Sequence, residues 1–75
     1  MKFIKGYATD TSVVLTFEVR HLLFFKRQVI FKGKEEIIRG TRFGYKWMNV
    51  TDNKIIGSSW MLDSWLLLHE EDLER

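Results

Sequence analysis

The stretch that decides the fold is Val13-Val14-Leu15-Thr16-Phe17-Glu18-Val19-Arg20. Apolar side chains occupy every second position from Val13 to Val19. Polar side chains occupy the alternate positions Thr16, Glu18 and Arg20. A period of two with many β-branched residues predicts a half-buried antiparallel strand. A helix through the same residues is the alternative, but the valines and Thr16 disfavour it. The strand interpretation predicts these two sets: Leu15, Phe17 and Val19 buried, and Thr16, Glu18 and Arg20 more exposed.

Turn residues on either side of this stretch predict its neighbours. Asp10-Thr11-Ser12 is typical of a turn, so we expect Lys2–Ala8 to form the hairpin partner. After it, His21–Lys26 is apolar on every face and fits a buried strand, a bulge or a helical turn. We expect two more strands, over Gln28–Lys32 and Glu36–Arg39, joined by a glycine turn at Gly33-Lys34-Glu35.

The second half of the chain predicts a further hairpin and then a helix. Gly40-Thr41 indicates a turn before an alternating strand over Phe43–Val50. That strand is joined to Ile55-Ile56 through Thr51-Asp52-Asn53-Lys54, the strongest turn signal in the chain. Ser58 and Ser59 are typical N-caps for a helix from Trp60 that weakens after His69, with a strand over Ser58–Trp65 as the alternative.

The predicted helix has one broad apolar arc and one polar side. Trp60 and Leu67 lie seven residues apart and share the polar side with the acidic residues. The expected arc consists of Met61, Leu62, Trp65, Leu66, Leu68, His69 and Leu73, and the expected acidic side of Asp63, Glu70, Glu71 and Glu74.

The charge of the chain changes sign at the same point as its periodicity. Residues 1–57 carry a net charge of +6 and residues 58–75 a net charge of −4, within 75 residues and a total of +2. We therefore expect a single domain over residues 1–75, with a basic β-rich body (1–57) and an acidic C-terminal helix (58–75). The predicted fold is α+β or mainly β, a small antiparallel, curled or barrel-like sheet of about five strands with one C-terminal helix.

Composition favours a cytoplasmic protein without disulfides. The chain has no cysteine, and no apolar run is long enough for a signal peptide or a membrane span. We expect no cofactor, no metal, no membrane association and no small-molecule substrate.

The sequence gives little support to catalysis. His21 and His69 lie in no recognisable catalytic or zinc-binding pattern, so we expect each to be a structural or surface histidine. Gly40–Lys46 lacks the Gly-Lys-Ser/Thr of a phosphate-binding loop and precedes a strand rather than a helix. An enzyme is therefore the least favoured of three functional classes.

Protein binding is the most favoured class. Three Trp, six Phe and two Tyr are many for a core of this size, and aromatic residues dominate interface hot spots. We expect a non-catalytic binding module that acts through a protein partner or through self-association, including as a regulator or inhibitor of a macromolecule. The interface candidates are Trp60, Leu67, Phe43 and Tyr45.

Nucleic-acid binding is the alternative. Cations and aromatic residues interleave between Phe24 and Trp47, as in proteins that stack bases on aromatic rings and pair phosphates with Lys and Arg. Simple amphipathicity gives the same pattern, with the rings in the core, and we expect this for Phe17, Phe31 and Trp47. The candidate phosphate-binding residues are Lys26, Arg27, Lys32, Arg39, Arg42 and Lys46.

Overall fold

The computed structural model describes the backbone of residues 2–22, 25–38 and 42–74 and the side chains of residues 2–20, 25–36 and 44–74. Within these ranges the chain forms five strands followed by one α-helix and a short 3₁₀ turn, Glu70–Asp72. The strands are β1 (Lys2–Ala8), β2 (Ser12–Leu22), β3 (Phe25–Ile38), β4 (Arg42–Asn49) and β5 (Lys54–Gly57), and the helix is α1 (Trp60–Leu68).

The sheet is an antiparallel meander in which every strand pairs with its neighbour along the chain, in the order β1-β2-β3-β4-β5. This confirms the predicted α+β, mainly β class with one C-terminal helix. The sheet is open, with β1 and β5 as its two edges, so the description as barrel-like does not apply. The helix follows the edge strand β5 directly and covers one face of the sheet, which we call the inner face.

The turn predicted at Gly33 is wrong, because β3 continues through it from Phe25 to Ile38. Gly33 lies opposite Val13 on one side and Trp47 on the other. A Cβ atom at Gly33 would lie 2.7 Å from Cζ3 of Trp47. The glycine is therefore needed because a tryptophan ring covers the backbone, not because the chain turns.

The turn predicted between β4 and β5 is confirmed. Asn53 adopts a positive φ of 54°, which asparagine tolerates better than most residues. The Asn49 side-chain oxygen accepts a 3.0 Å hydrogen bond from the Asp52 backbone N–H and so closes the turn. The turn predicted at Gly40-Thr41 lies outside the described residues, between paired ends of β3 and β4. The side chains of 21–24 also lie outside them, although β2 extends to Leu22 and β3 begins at Phe25.

The core lies between the inner face and α1. The largest fully buried side chains are Trp47, Phe17, Leu15 and Leu62. Phe17 is at the centre of an aromatic cluster, with ring centroids 5.9 Å from Phe31 and 5.3 Å from Trp65. The expectation that Phe17, Phe31 and Trp47 belong to the core is thus confirmed.

The burial pattern of β2 agrees with its predicted alternation at Leu15, Phe17 and Arg20, whereas Glu18 and Val19 are both half-buried and Thr16 departs from it. Leu15 and Phe17 are buried, Val19 is half-buried, and Arg20 is exposed. Thr16 was expected to be exposed, but it is only 4% exposed. Its neighbours across the sheet are Lys5 and Ile30, and these longer side chains leave a short threonine in the middle of the sheet covered.

Candidate interaction surfaces

The helix is held in one rotation by contacts at three positions. The Ser59 hydroxyl accepts a 3.3 Å hydrogen bond from the Leu62 backbone N–H, which confirms Ser59 as the N-cap and excludes a strand here. The buried indole N–H of Trp47 donates a 2.7 Å hydrogen bond to the Asp63 carboxylate. Leu66, one turn beyond Leu62, is buried against the sheet, with 8% of its surface exposed. These contacts direct the opposite side of α1 to solvent.

The solvent side of α1 is apolar, and we call it the helix surface. Its four large side chains are Trp60, 86% exposed, Leu67, 79%, Leu68, 77%, and Met61, 56%. Ser64 is the polar residue that lies among them. The other polar residue of the helix, Asp63, is hydrogen-bonded to Trp47 at the border with the sheet. The surface therefore carries no charged residue along the nine residues of the helix.

The predicted division of the helix into an apolar arc and an acidic side is partly wrong. Met61 and Leu68 were expected in the same apolar arc as Leu62 and Leu66, but both are exposed whereas Leu62 and Leu66 are buried. The acidic side does not exist within the helix, because α1 ends at Leu68 and Glu70–Asp72 forms the 3₁₀ turn. The helix is apolar nearly all round, so a hydrophobic pattern alone leaves its rotation undetermined.

The segment after the helix is attached to the edge of β1. The Ala8 N–H donates a 2.8 Å hydrogen bond to the Glu74 carbonyl, and the Glu74 N–H donates a 3.0 Å bond to the Gly6 carbonyl. Leu73 packs over Gly6, where a Cβ would lie 2.7 Å from Leu73 Cδ2. The acidic C-terminal segment therefore lies beside β1 on the helix-covered side of the sheet.

Of the two other interface candidates, Tyr45 does not join the helix surface. Tyr45 is half-buried on the inner face, with its ring centroid 5.5 Å from that of Trp47. The side chain of Phe43 lies outside the described part of the chain. The structure therefore brings together Trp60 and Leu67, and adds Met61 and Leu68, which the sequence analysis placed on the opposite, apolar arc of the helix.

The opposite, outer face of the sheet is basic, and we call it the lysine face. The strand registers place seven of the nine cationic residues with described side chains there, together with the acidic Glu18 and Glu36. The helix covers the other face, so the acidic C-terminal region does not neutralise this one. The seven are Lys2, Lys5, Arg20, Lys26, Lys32, Lys34 and Lys46.

Two pairs of like charges face each other across strands on the lysine face. Arg20 lies opposite Lys26, and Lys34 lies opposite Lys46. Side chains directly opposite in a sheet have Cβ atoms about 5 Å apart, and like charges there are destabilising. The ion pair found within the described ranges is that of Arg27 with Asp52. None of the four residues of the like-charge pairs takes part in it.

Of the predicted phosphate-binding residues, Lys26, Lys32 and Lys46 lie on the lysine face. Arg27 does not, because consecutive residues of a strand point to opposite faces. Its guanidinium donates hydrogen bonds of 3.1 and 2.6 Å to the Asp52 carboxylate. This pairing lowers the pKa of Asp52 and raises that of Arg27. Arg39 and the side chain of Arg42 lie outside the described residues.

The aromatic half of the nucleic-acid prediction is not supported by the geometry. Phe31 and Trp47 are core residues, and Tyr45 packs on the inner face against Trp47. Tyr7, 50% exposed on the edge strand β1, is the aromatic residue that the register places on the lysine face. Interleaving of cations and rings along the sequence here reflects strand alternation, which separates them onto two faces.

The described histidine, His69, is engaged by the helix that precedes it. His69 stacks on Trp65 at 4.5 Å, and its Nδ1 lies 2.9 Å from the Trp65 carbonyl oxygen. The side chain of His21 lies outside the described ranges. Among the residues that the structure describes, no three His, Cys, Asp or Glu side chains come together as metal ligands. No helix in those ranges has the length and apolar character needed to cross a membrane.

Comparison with known proteins adds no relative: no family model, no curated protein and no solved structure matches this chain.

Proposed function

We propose that this chain is a non-catalytic protein-interaction module that self-associates through the helix surface. The observation that supports the proposal is an uncharged helix face with Trp60, Met61, Leu67 and Leu68 in water. A helix that is apolar nearly all round is normally buried on both sides. The sheet covers one side of α1, and a second molecule would cover the other.

The energetics favour association. Full burial of one such side chain contributes about 1.5–3 kcal/mol, so the eight large side chains of two copies contribute roughly 12 kcal/mol even at the lower figure. The loss of translational and rotational freedom costs about 4–15 kcal/mol. At the low end of that cost the surplus is about 8 kcal/mol, which corresponds to a dimer with a dissociation constant on the order of micromolar.

Charge selects an antiparallel two-fold pairing of the helices. Glu70, Glu71 and Asp72 directly follow α1, and the helix C-terminus is the negative end of its dipole. Parallel helices would bring two such acidic ends together, whereas antiparallel helices place each beside the positive N-terminus of its partner. Ser64, midway along the surface, then lies near the two-fold axis, where its small side chain permits close approach.

A matched pair of lysine substitutions tests the proposal. Leu67→Lys places a charge in the helix surface, and Ile55→Lys makes the same change on the outer face at a residue of similar exposure, 79% against 76%. We expect sedimentation equilibrium to give a dimer for the wild type and for Ile55→Lys, and a monomer for Leu67→Lys. Because both positions are exposed, both variants should unfold at the same temperature when dilute.

The salt dependence provides a second criterion. An apolar helix contact should not weaken between about 0.1 M and about 1 M salt, whereas a contact through the lysine face would be screened. A wild-type monomer at high micromolar concentration would overturn self-association. Equal loss of association in Leu67→Lys and Ile55→Lys would overturn its location.

A further inference from the structure

The lysine face contains electrostatic repulsion that destabilises the fold and that no ion pair found within the described residues relieves. Lys34 and Lys46 face each other directly across β3 and β4, and neither belongs to the ion pair found in the described ranges. The other cross-strand neighbour of Lys34 is Ser12, which brings no charge. Repulsion of this kind opposes folding, and a bound anion between the two ammonium groups would relieve it.

The two like-charge pairs are spaced along one strand. Lys26 and Lys34 belong to different pairs and lie eight residues apart in β3, which corresponds to about 27 Å of extended strand. Lys32 lies between them on the same face, and Lys2 and Lys5 lie alongside on β1. The cations thus form an elongated track rather than a pocket for one small anion.

We propose that the lysine face binds the phosphate backbone of double-stranded nucleic acid without reading its bases. A duplex advances about 3.4 Å per base pair, so 27 Å corresponds to roughly eight base pairs. The face has no array of exposed rings on which unpaired bases would stack, since the described aromatic residue there is Tyr7 at the edge. Contacts to phosphates alone position a protein on a duplex without sequence preference.

The expected strength follows from the charges. Seven cations offset by Glu18 and Glu36 leave about five effective phosphate contacts, which give a slope of log K against log salt of roughly −4.5. Affinity should then fall about 500-fold between about 50 and about 200 mM salt. The inference does not depend on the helix surface, which lies on the other side of the sheet.

The test is the anisotropy of a labelled duplex of arbitrary sequence, titrated with the full chain over a series of salt concentrations. The Lys34→Ala/Lys46→Ala variant should lose about two contacts, so that its affinity falls only about 40-fold over the same salt range. Removal of the repulsive pair should also leave its melting temperature unchanged or raised, which separates lost binding from lost folding. Lys54→Ala, at an exposed lysine whose partner Asn49 lies on the inner face, is the matched control and should bind like the wild type.

Several results would overturn the inference. These are no duplex binding at low salt, the same slope for Lys34→Ala/Lys46→Ala as for the wild type, or an equal loss in Lys54→Ala. Tighter binding to a single strand of the same sequence would refute the duplex as ligand. Binding to vesicles rich in anionic lipid, with none to the duplex, would assign the face to a membrane surface instead.

Discussion

Gly33→Ala is the substitution that most directly tests how the sheet packs. The added Cβ would lie 2.7 Å from Cζ3 of Trp47 and 2.9 Å from two further atoms of the same ring. The ring has little freedom to move, because it is fully buried and its N–H is bonded to Asp63. Overpacking of this kind costs about 1–3 kcal/mol. The lower entropy of alanine in the unfolded chain offsets about 0.4–1 kcal/mol of that cost.

The net effect should be a loss of about 1–2 kcal/mol in the free energy of unfolding, or roughly 4–16 °C in melting temperature for a domain of this size. Thermal and urea unfolding followed by circular dichroism would measure it. Gly6→Ala is the matched control, since its Cβ meets Leu73 Cδ2 at the same 2.7 Å. Leu73 is half-buried and its side chain can rotate, but the Cβ would also lie 3.0 Å from Cδ2 of the buried Leu15 and 3.2 Å from the Val14 carbonyl oxygen. Gly6→Ala should therefore cost less than Gly33→Ala, but more than nothing.

A double-mutant cycle distinguishes close approach from backbone conformation. If the Trp47 ring causes the cost, Gly33→Ala should be less damaging in a Trp47→Phe background, because the smaller ring leaves room. A glycine required for its backbone conformation would cost the same in both backgrounds. A Gly33→Ala variant as stable as the wild type, or one with no coupling to Trp47, would refute the reasoning.

Three further predictions concern single contacts. Asp63→Ala leaves the buried Trp47 N–H without its acceptor and should lower the free energy of unfolding in urea by about 1–3 kcal/mol. Asp63→Asn keeps an acceptor oxygen and should cost less, and equal losses for the two variants would contradict this. Ser59→Ala removes the N-cap and should cost about 1 kcal/mol, against no measurable change for the exposed neighbour in Ser58→Ala; similar values for both would exclude the cap. Asp52 has a pKa lowered chiefly by its hydrogen bonds with Arg27, so its contribution to stability is present above its unfolded pKa of about 3.9 and is lost as pH falls through the folded value. Melting temperatures of the wild type and Asp52→Asn should therefore differ at neutral pH and converge near about pH 2, and a constant difference would refute the coupling.

The strands and turns of the sheet could be predicted where the residues of one short segment determine its conformation by themselves. The alternation in β2 is such a case, because a strand with one buried face has a single compatible register of apolar residues. The turn before β5 is another, since asparagine and aspartate make its hydrogen bonds locally. Gly33 is the opposite case. In the sequence, a glycine at a turn cannot be distinguished from a glycine in a strand that is covered by an aromatic ring. The residue whose ring covers Gly33, Trp47, is fourteen positions away in the sequence.

The two surfaces were predictable only in part, for reasons of periodicity. Trp60 and Leu67 were singled out because they lie seven residues apart on one side of the helix, but Met61 and Leu68 were placed on its apolar arc instead. The rotation of α1 depends on the bond between Trp47 and Asp63, which no local pattern encodes. Of the predicted cationic residues, Lys26, Lys32 and Lys46 lie on the lysine face, whereas Arg27 lies on the other side of β3. The pairing of Lys34 with Lys46 becomes visible only with the register of β3 and β4.

The central claim is that the helix surface is buried against a second copy, and cysteine cross-linking at Ser64 tests it most directly. The chain has no cysteine, so a single thiol reports one position. In an antiparallel two-fold dimer, Ser64→Cys places two thiols near the axis, where a disulfide forms once the Cβ atoms are about 3.5–4.5 Å apart. We expect mild oxidation at micromolar concentration to give a covalent dimer for Ser64→Cys but not for the exposed control Ser58→Cys. Equal cross-linking of the two variants, or none for Ser64→Cys, would contradict the account.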